Sequence, residues 1–138
     1  MSMGTGVMLQ QMGDNFASIK AYTDALNKTI STIIFENEES TLRIVFTDST
    51  GIDFNDAGQS CCESRYMTTD DKFEEYIGAV FLCAKIKKAP SLEDAEYGDH
   101  DCEFLEIQTN KGCFTIVNHN EHNGYYGGFW IRVSDVRI

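Results

Sequence analysis

The chain reads as an α+β domain, mainly antiparallel β-sheet arranged as a meander plus hairpins, with one or two short helices. Three observations predict this. Segments rich in β-branched and aromatic residues recur, among them KTISTIIFE, TLRIVFT, GIDFND and GAVFLCAKIKKA, and such residues suit a pleated, half-buried surface. Short polar links separate the first three, Asn37–Ser40 and Asp48–Gly51, which is how consecutive antiparallel strands are joined. One stretch, 15–27, places Phe16, Ile19, Tyr22 or Thr23, and Leu26 at helical spacing, with Asn15 positioned to cap it.

The remaining elements follow in order. Residues 1–14 are rich in Gly, Met and Gln and predict a flexible N-terminus, leaving 15–138 as a single ligand-binding domain. Ala57–Ser64 is expected to form one helical turn and Arg65–Thr68 a short extended piece. Thr69 or Asp70 can cap a helical turn that runs through Tyr76 and ends at Gly78. GAVFLCAKIKKA predicts a long strand, and 90–101 an acidic, solvated loop holding the only proline. CEFLEIQT, the turn Asn110-Lys111-Gly112 and CFTIVNH predict a hairpin, and GFWIRVSDVRI the closing strand. There is no internal repeat.

Composition narrows the function. At 138 residues one domain can bury roughly two-thirds of its unfolded surface. The 22 acidic residues against 11 Lys and Arg give a net charge of −11, a field that repels a polyanionic backbone and disfavours general nucleic-acid binding. No apolar run approaches the ~20 residues of a membrane span. The opening MSMGTGVMLQQMGDNF has no basic region before an apolar block, so no signal peptide is expected and the host cell cytoplasm is the predicted location. In that compartment the five cysteines are expected to be reduced thiols, with Cys83 and Cys113 packed in the core.

The densest chemistry lies in Asn118–Trp130, where two histidines, three asparagines, three glycines and four aromatics fall within thirteen residues. Asn123-Gly124 is a strong hairpin signal, and glycines, amides and flat aromatic faces together suit a ligand surface built on that hairpin. His119 and His122 flank Glu121 as H-x-x-H, but three residues apart on a strand they point to opposite faces. Convergence on one metal is therefore disfavoured, and turn structure or ligand contact remain. Vicinal Cys61 and Cys62 with His100, His119 and His122 make a poor zinc set, because structural zinc sites use C-x₂₋₄-C knuckles. No metal and no cofactor is expected. Arg65 follows the Cys-Cys-Glu turn, and Arg132 shares a strand face with Trp130. Arginine beside aromatic rings suits a nucleotide, although salt-bridging is as good an account of either one.

The order G-Q-S-C-C-E-S-R-Y (Gly58–Tyr66), Y-I-G (Tyr76–Gly78), F-L-E-I-Q-T-N-K-G (Phe104–Gly112) and H-N-E-H-N-G-Y-Y-G-G-F (His119–Phe129) resembles a domain of unknown function common in bacteriophages and prophage regions. It is also similar to the first Thoeris anti-defence family, the phage sponge proteins. The resemblance covers about residues 30–135 and implies a small α+β protein that assembles as a dimer or hexamer. It implies binding and sequestration of cyclic ADP-ribose isomers, and for some members cyclic nucleotides, so that Thoeris-type immunity is silenced without bond cleavage. The expected partners are thus a small cyclic nucleotide-type signal and further copies of the chain, with no nucleic acid and no membrane. The expected contacts are Arg65, His119, His122, Asn123, Tyr125, Tyr126, Phe129 and Arg132, with no catalytic residue. Two other classes stay open: a metal- or His/Glu-dependent nucleotide hydrolase using His119, Glu121 and His122, and an acidic protein-interaction inhibitor.

Overall fold

The β-branched segments form strands and pair in sequence. In a computed structural model that describes residues 16–35, 41–56, 63–88, 99–122, 129 and 131–137, β1 (Ile30–Ile34), β2 (Thr41–Phe46) and β3 (Thr50–Asp56) make the expected antiparallel meander. The closing strand β8 (Ile131–Arg137) adds to β3, giving a four-stranded sheet in the order β1-β2-β3-β8. The second sheet has the order β4-β7-β6-β5, from β4 (Glu63–Thr68), β5 (Phe81–Lys88), β6 (Asp99–Thr109) and β7 (Gly112–His122). All pairings between these strands are antiparallel. The turn Asn110-Lys111 joins β6 to β7, and Gly112 adopts φ +123° there, a conformation that favours glycine.

The two sheets face one another across an apolar core. Phe81 on β5 is its hub, with ring centroids 6.0 Å from Tyr22, 6.1 Å from Phe46 and 6.4 Å from Phe54. Leu42, Ile44, Leu105, Ile107, Phe114, Ile116 and Val133 surround it and are buried. Along one corner the segments leading into β1 and β5 bond to each other. Phe81 N–H donates to the Lys28 carbonyl at 2.9 Å, and Ile30 N–H to the Ala79 carbonyl at 2.7 Å.

Helix α1 (Phe16–Ala25) lies where its pattern predicts, and Asn27 at φ +70° breaks it. Its buried face is Ser18, Ala21, Tyr22 and Ala25, while Thr23 is exposed. A 3-10 turn, Glu74–Tyr76, precedes Gly78 at φ +86°. No helix among the described residues is long and apolar enough to cross a membrane.

Four expectations change. Cys113 is exposed rather than packed, because it opens β7 on the face opposite Phe114. The acidic loop ends earlier than predicted: Asp99, His100 and Asp101 belong to β6, paired to His122, Glu121 and Asn120. Glu63 and Ser64 open β4 instead of closing a helical turn; residues 57–62, with Cys61 and Cys62, lie outside the described residues. Finally, β7 and β8 do not form a hairpin. β7 is central in one sheet and β8 lies at the edge of the other, paired to β3, while Asn123-Gly124 itself lies outside the described residues.

Candidate functional site

Alternation along β7 divides its residues between two environments. Phe114, Ile116, Asn118 and Asn120 face the opposite sheet, so the inward face passes from apolar to amide toward the end of the strand. Register extends this polar end sideways. Asn120 sits opposite Arg65 and Asp101, and Asn118 opposite Met67 and Glu103. Both amides are essentially inaccessible, 1% and 0% exposed. Asn118 Nδ2 donates to the Glu103 carbonyl at 3.2 Å, while its Oδ1 has no hydrogen-bond partner among the described residues. Leaving a buried acceptor unmatched costs about 1–3 kcal/mol.

Arg65 is held within that inward layer. Its Nη1 stands 3.0 and 2.8 Å from the two carboxylate oxygens of Asp56 at the end of β3. The two side chains are 5% and 4% exposed, so the pair ties β4 to the opposite sheet.

The outward face carries a second, tighter constellation. Tyr66, His119 and Cys102 form one cross-strand row over β4, β7 and β6, with His100 and Glu121 in the next. The Tyr66 ring stacks on His119 at 4.5 Å between centroids and 8° between planes. The Tyr66 hydroxyl donates to Glu121 Oε2 at 2.7 Å. Thr68 Oγ1 is 2.8 Å from His119 Nε2, and His100 Nε2 is 2.9 Å from His119 Nδ1. Cys102 Sγ lies 3.7 Å from the same Nδ1. His100, Cys102 and His119 thereby place one donor atom each within 4.8 Å of one another, a group that could hold a metal ion. His100 and Cys102 are buried even though they point away from the core.

The predicted contacts do not gather on one surface. Arg65 faces inward and His119 outward from the same sheet, as adjacent cross-strand rows require. Arg132 is exposed on β8, in the other sheet, opposite Asn55. Phe129 packs against the core. His122 ends β7, paired to Glu63 and Asp99, and Asn123, Tyr125 and Tyr126 lie outside the described residues. Sequence reading singled out His119 but missed Tyr66, Thr68 and Cys102 as its neighbours; only strand register brings them together. A groove of about 580 Å³ lined by Lys20, Asp24, Lys28, Thr50 and Asp135 lies between α1, β3 and β8 and includes none of these residues.

The family model of a domain of unknown function (DUF7448) matches residues 23–130. No curated protein and no solved structure shows a significant match to the chain.

Proposed function

We propose, for a chain that belongs to the DUF7448 family of domains of unknown function, that it binds and sequesters a nucleotide-derived signal without cleaving it. The signal is a cyclic ADP-ribose isomer or a related cyclic nucleotide, and the biological role is phage anti-defence against Thoeris-type immunity. One observation carries this reading: the inward face of β7 ends in two fully buried amides, Asn118 and Asn120, beside the Arg65–Asp56 pair. That end of the strand leads directly into the segment bearing Asn123, Tyr125 and Tyr126. A cyclic dinucleotide-like ligand has an adenine face for aromatic stacking and many hydroxyl donors for buried amide oxygens. The Oδ1 of Asn118, without a partner among the described residues, would accept one such donor. Arg65 would act from within its ion pair, offering N–H groups that are already oriented by Asp56. A small polar ligand held at nanomolar Kd, roughly −12 kcal/mol, needs near-complete burial, and a second copy of the chain would supply the missing wall.

The test is calorimetry of the full chain against cyclic ADP-ribose isomers and cyclic dinucleotides, followed by heat release and mass spectrometry. Recovery of the intact ligand, with affinity lowered in Asn118→Leu, supports the reading. Absence of binding to every member of the series overturns it in favour of a protein-interaction module. Recovery of a cleaved product overturns it in favour of the hydrolase.

A further inference from the structure

The outward-facing cluster is separate from the inward amides and calls for its own account. Three soft or borderline donors on adjacent strands converge: His100 Nε2, Cys102 Sγ and His119 Nδ1. In a tetrahedral zinc site with N and S bonds of ~2.0–2.1 and ~2.3 Å, two nitrogens stand ~3.3 Å apart and a sulfur and a nitrogen ~3.6 Å apart. The observed separations are 2.9 Å between the nitrogens and 3.7 Å between Cys102 Sγ and His119 Nδ1. These two separations lie within ~0.4 Å of the tetrahedral values, and the third pair, His100 Nε2 and Cys102 Sγ, stands within 4.8 Å.

The surroundings orient the donors. The tautomer of His119 that donates Nε2–H to Thr68 Oγ1 leaves Nδ1 as a lone pair directed at His100 and Cys102. That is the outer-shell arrangement by which a metal-bound histidine is held in one tautomer and one ring orientation. Stacking on Tyr66, itself anchored to Glu121, fixes the plane of the His119 ring.

We infer that His100, Cys102 and His119 form a site for one divalent ion of the zinc class, with Thr68 and Tyr66 as positioning residues. On binding, the Cys102 thiol loses its proton to solvent, the Nε2 proton of His100 is given up to solvent and regained at its Nδ1, and the His–His hydrogen bond is replaced by two metal–nitrogen bonds. Three ligands among the described residues leave a fourth position for water or an exchangeable ligand.

The experiment uses the full chain, stripped with a chelator and titrated with Co²⁺ as the spectroscopic probe, then with Zn²⁺ in competition. One equivalent of Co²⁺ is expected to saturate, with a thiolate-to-cobalt charge-transfer band that Zn²⁺ abolishes. Cys102→Ser should lose that band and His119→Asn should weaken binding. Thr68→Val, which leaves all three ligands in place and guards against a misfolded ligand variant, should weaken it about 10–100-fold. The double variant Cys61→Ser/Cys62→Ser should keep both the band and the stoichiometry. No saturable binding, a band that persists in Cys102→Ser, or a band lost in the Cys61/Cys62 double variant would overturn the assignment. Ligand calorimetry on the stripped protein reads the amide face independently, so either site can fail alone.

Discussion

The Ser18 hydroxyl makes both hydrogen bonds that a neighbouring strand would make to Val133: it donates to the carbonyl at 2.7 Å and accepts from the N–H at 3.3 Å. Val133 lies on β8, an edge strand, and edge strands present unpaired backbone groups that template aggregation. One turn further along the helix, Tyr22 does the same for the other sheet. Its hydroxyl accepts from Ala84 N–H at 2.9 Å and donates to the Ala84 carbonyl at 3.4 Å, on edge strand β5. Helix α1 thus blunts one edge of each sheet with a single buried oxygen apiece. Ser18→Ala leaves two backbone groups of Val133 unmatched and is expected to lose about 1–3 kcal/mol, read as a lower urea midpoint at unchanged slope. Ser18→Ala/Tyr22→Phe should add to this and raise light scattering in concentrated samples.

The Arg65–Asp56 pair predicts a stability effect that a pure ligand contact would not produce. Removing one partner of a pair this deeply buried leaves an uncompensated charge and typically costs about 3–5 kcal/mol. Arg65→Met should therefore lower the denaturation midpoint strongly in the absence of any ligand. Arg65→Met/Asp56→Leu should recover most of the loss, because neither charge is then stranded. An Arg65→Met protein of wild-type stability would show that the guanidinium contributes nothing to holding β4 against β3.

Gly51 predicts a close-packing effect of a different kind. A Cβ placed there would stand 3.0 Å from the Ile44 carbonyl oxygen and 3.6 Å from Val45 Cα, both backbone atoms of the paired strand. Backbone cannot rotate aside as a flexible side chain can, so β2 and β3 must separate to admit a methyl group. Gly51→Ala is expected to destabilise by about 1–3 kcal/mol, the range for overpacking. Thermal unfolding of the variant beside Gly51→Ser, which carries the same Cβ, should give comparable losses.

Much of this fold was legible because period-2 alternation is a local signal. β1, β2, β3, β5 and the turn at Asn110-Lys111 fall where β-branched residues and polar links put them. The far end of β7 was harder to read, since Asn118, Asn120 and His122 occupy positions that an ordinary strand fills with apolar residues, and that composition resembles a loop. The Asn123-Gly124 signal suggested a hairpin, yet β3 provides the partner for β8, and that choice depends on tertiary packing of the helix and core. His119 was visible as a residue of interest, but its site was not. Its partners Cys102 and His100 arrive 17 and 19 residues away through register across a hairpin, and Tyr66 from another strand still. Local pattern carries no information on which cross-strand row a histidine will join.

The β2–β3 turn predicts a pH dependence with a definite sign. Asp48 is held down to about 2 from its ordinary 3.8, first by the Thr50 hydroxyl and next by the Lys28 ammonium, which lies 3.0 Å from its carboxylate. The folded protein therefore binds this proton less readily than the unfolded chain. The stabilisation is fully present above the unfolded value and disappears as pH falls from about 4 through about 2. On β6, the Lys87 ammonium and then the Gln108 amide hold Glu106 below its usual range in the same direction. Asp48→Asn should accordingly be less stable than the parent near neutrality, with the gap closing as the buffer is taken down toward about pH 2. Urea midpoints at fixed ionic strength for parent, Asp48→Asn and Glu106→Gln provide the measurement. A gap for Asp48→Asn that stays constant from neutral to acid would mean that the carboxylate's charge is not what stabilises the turn, and no gap at any pH would mean that a neutral amide serves the hydrogen bonds to Thr50 equally well.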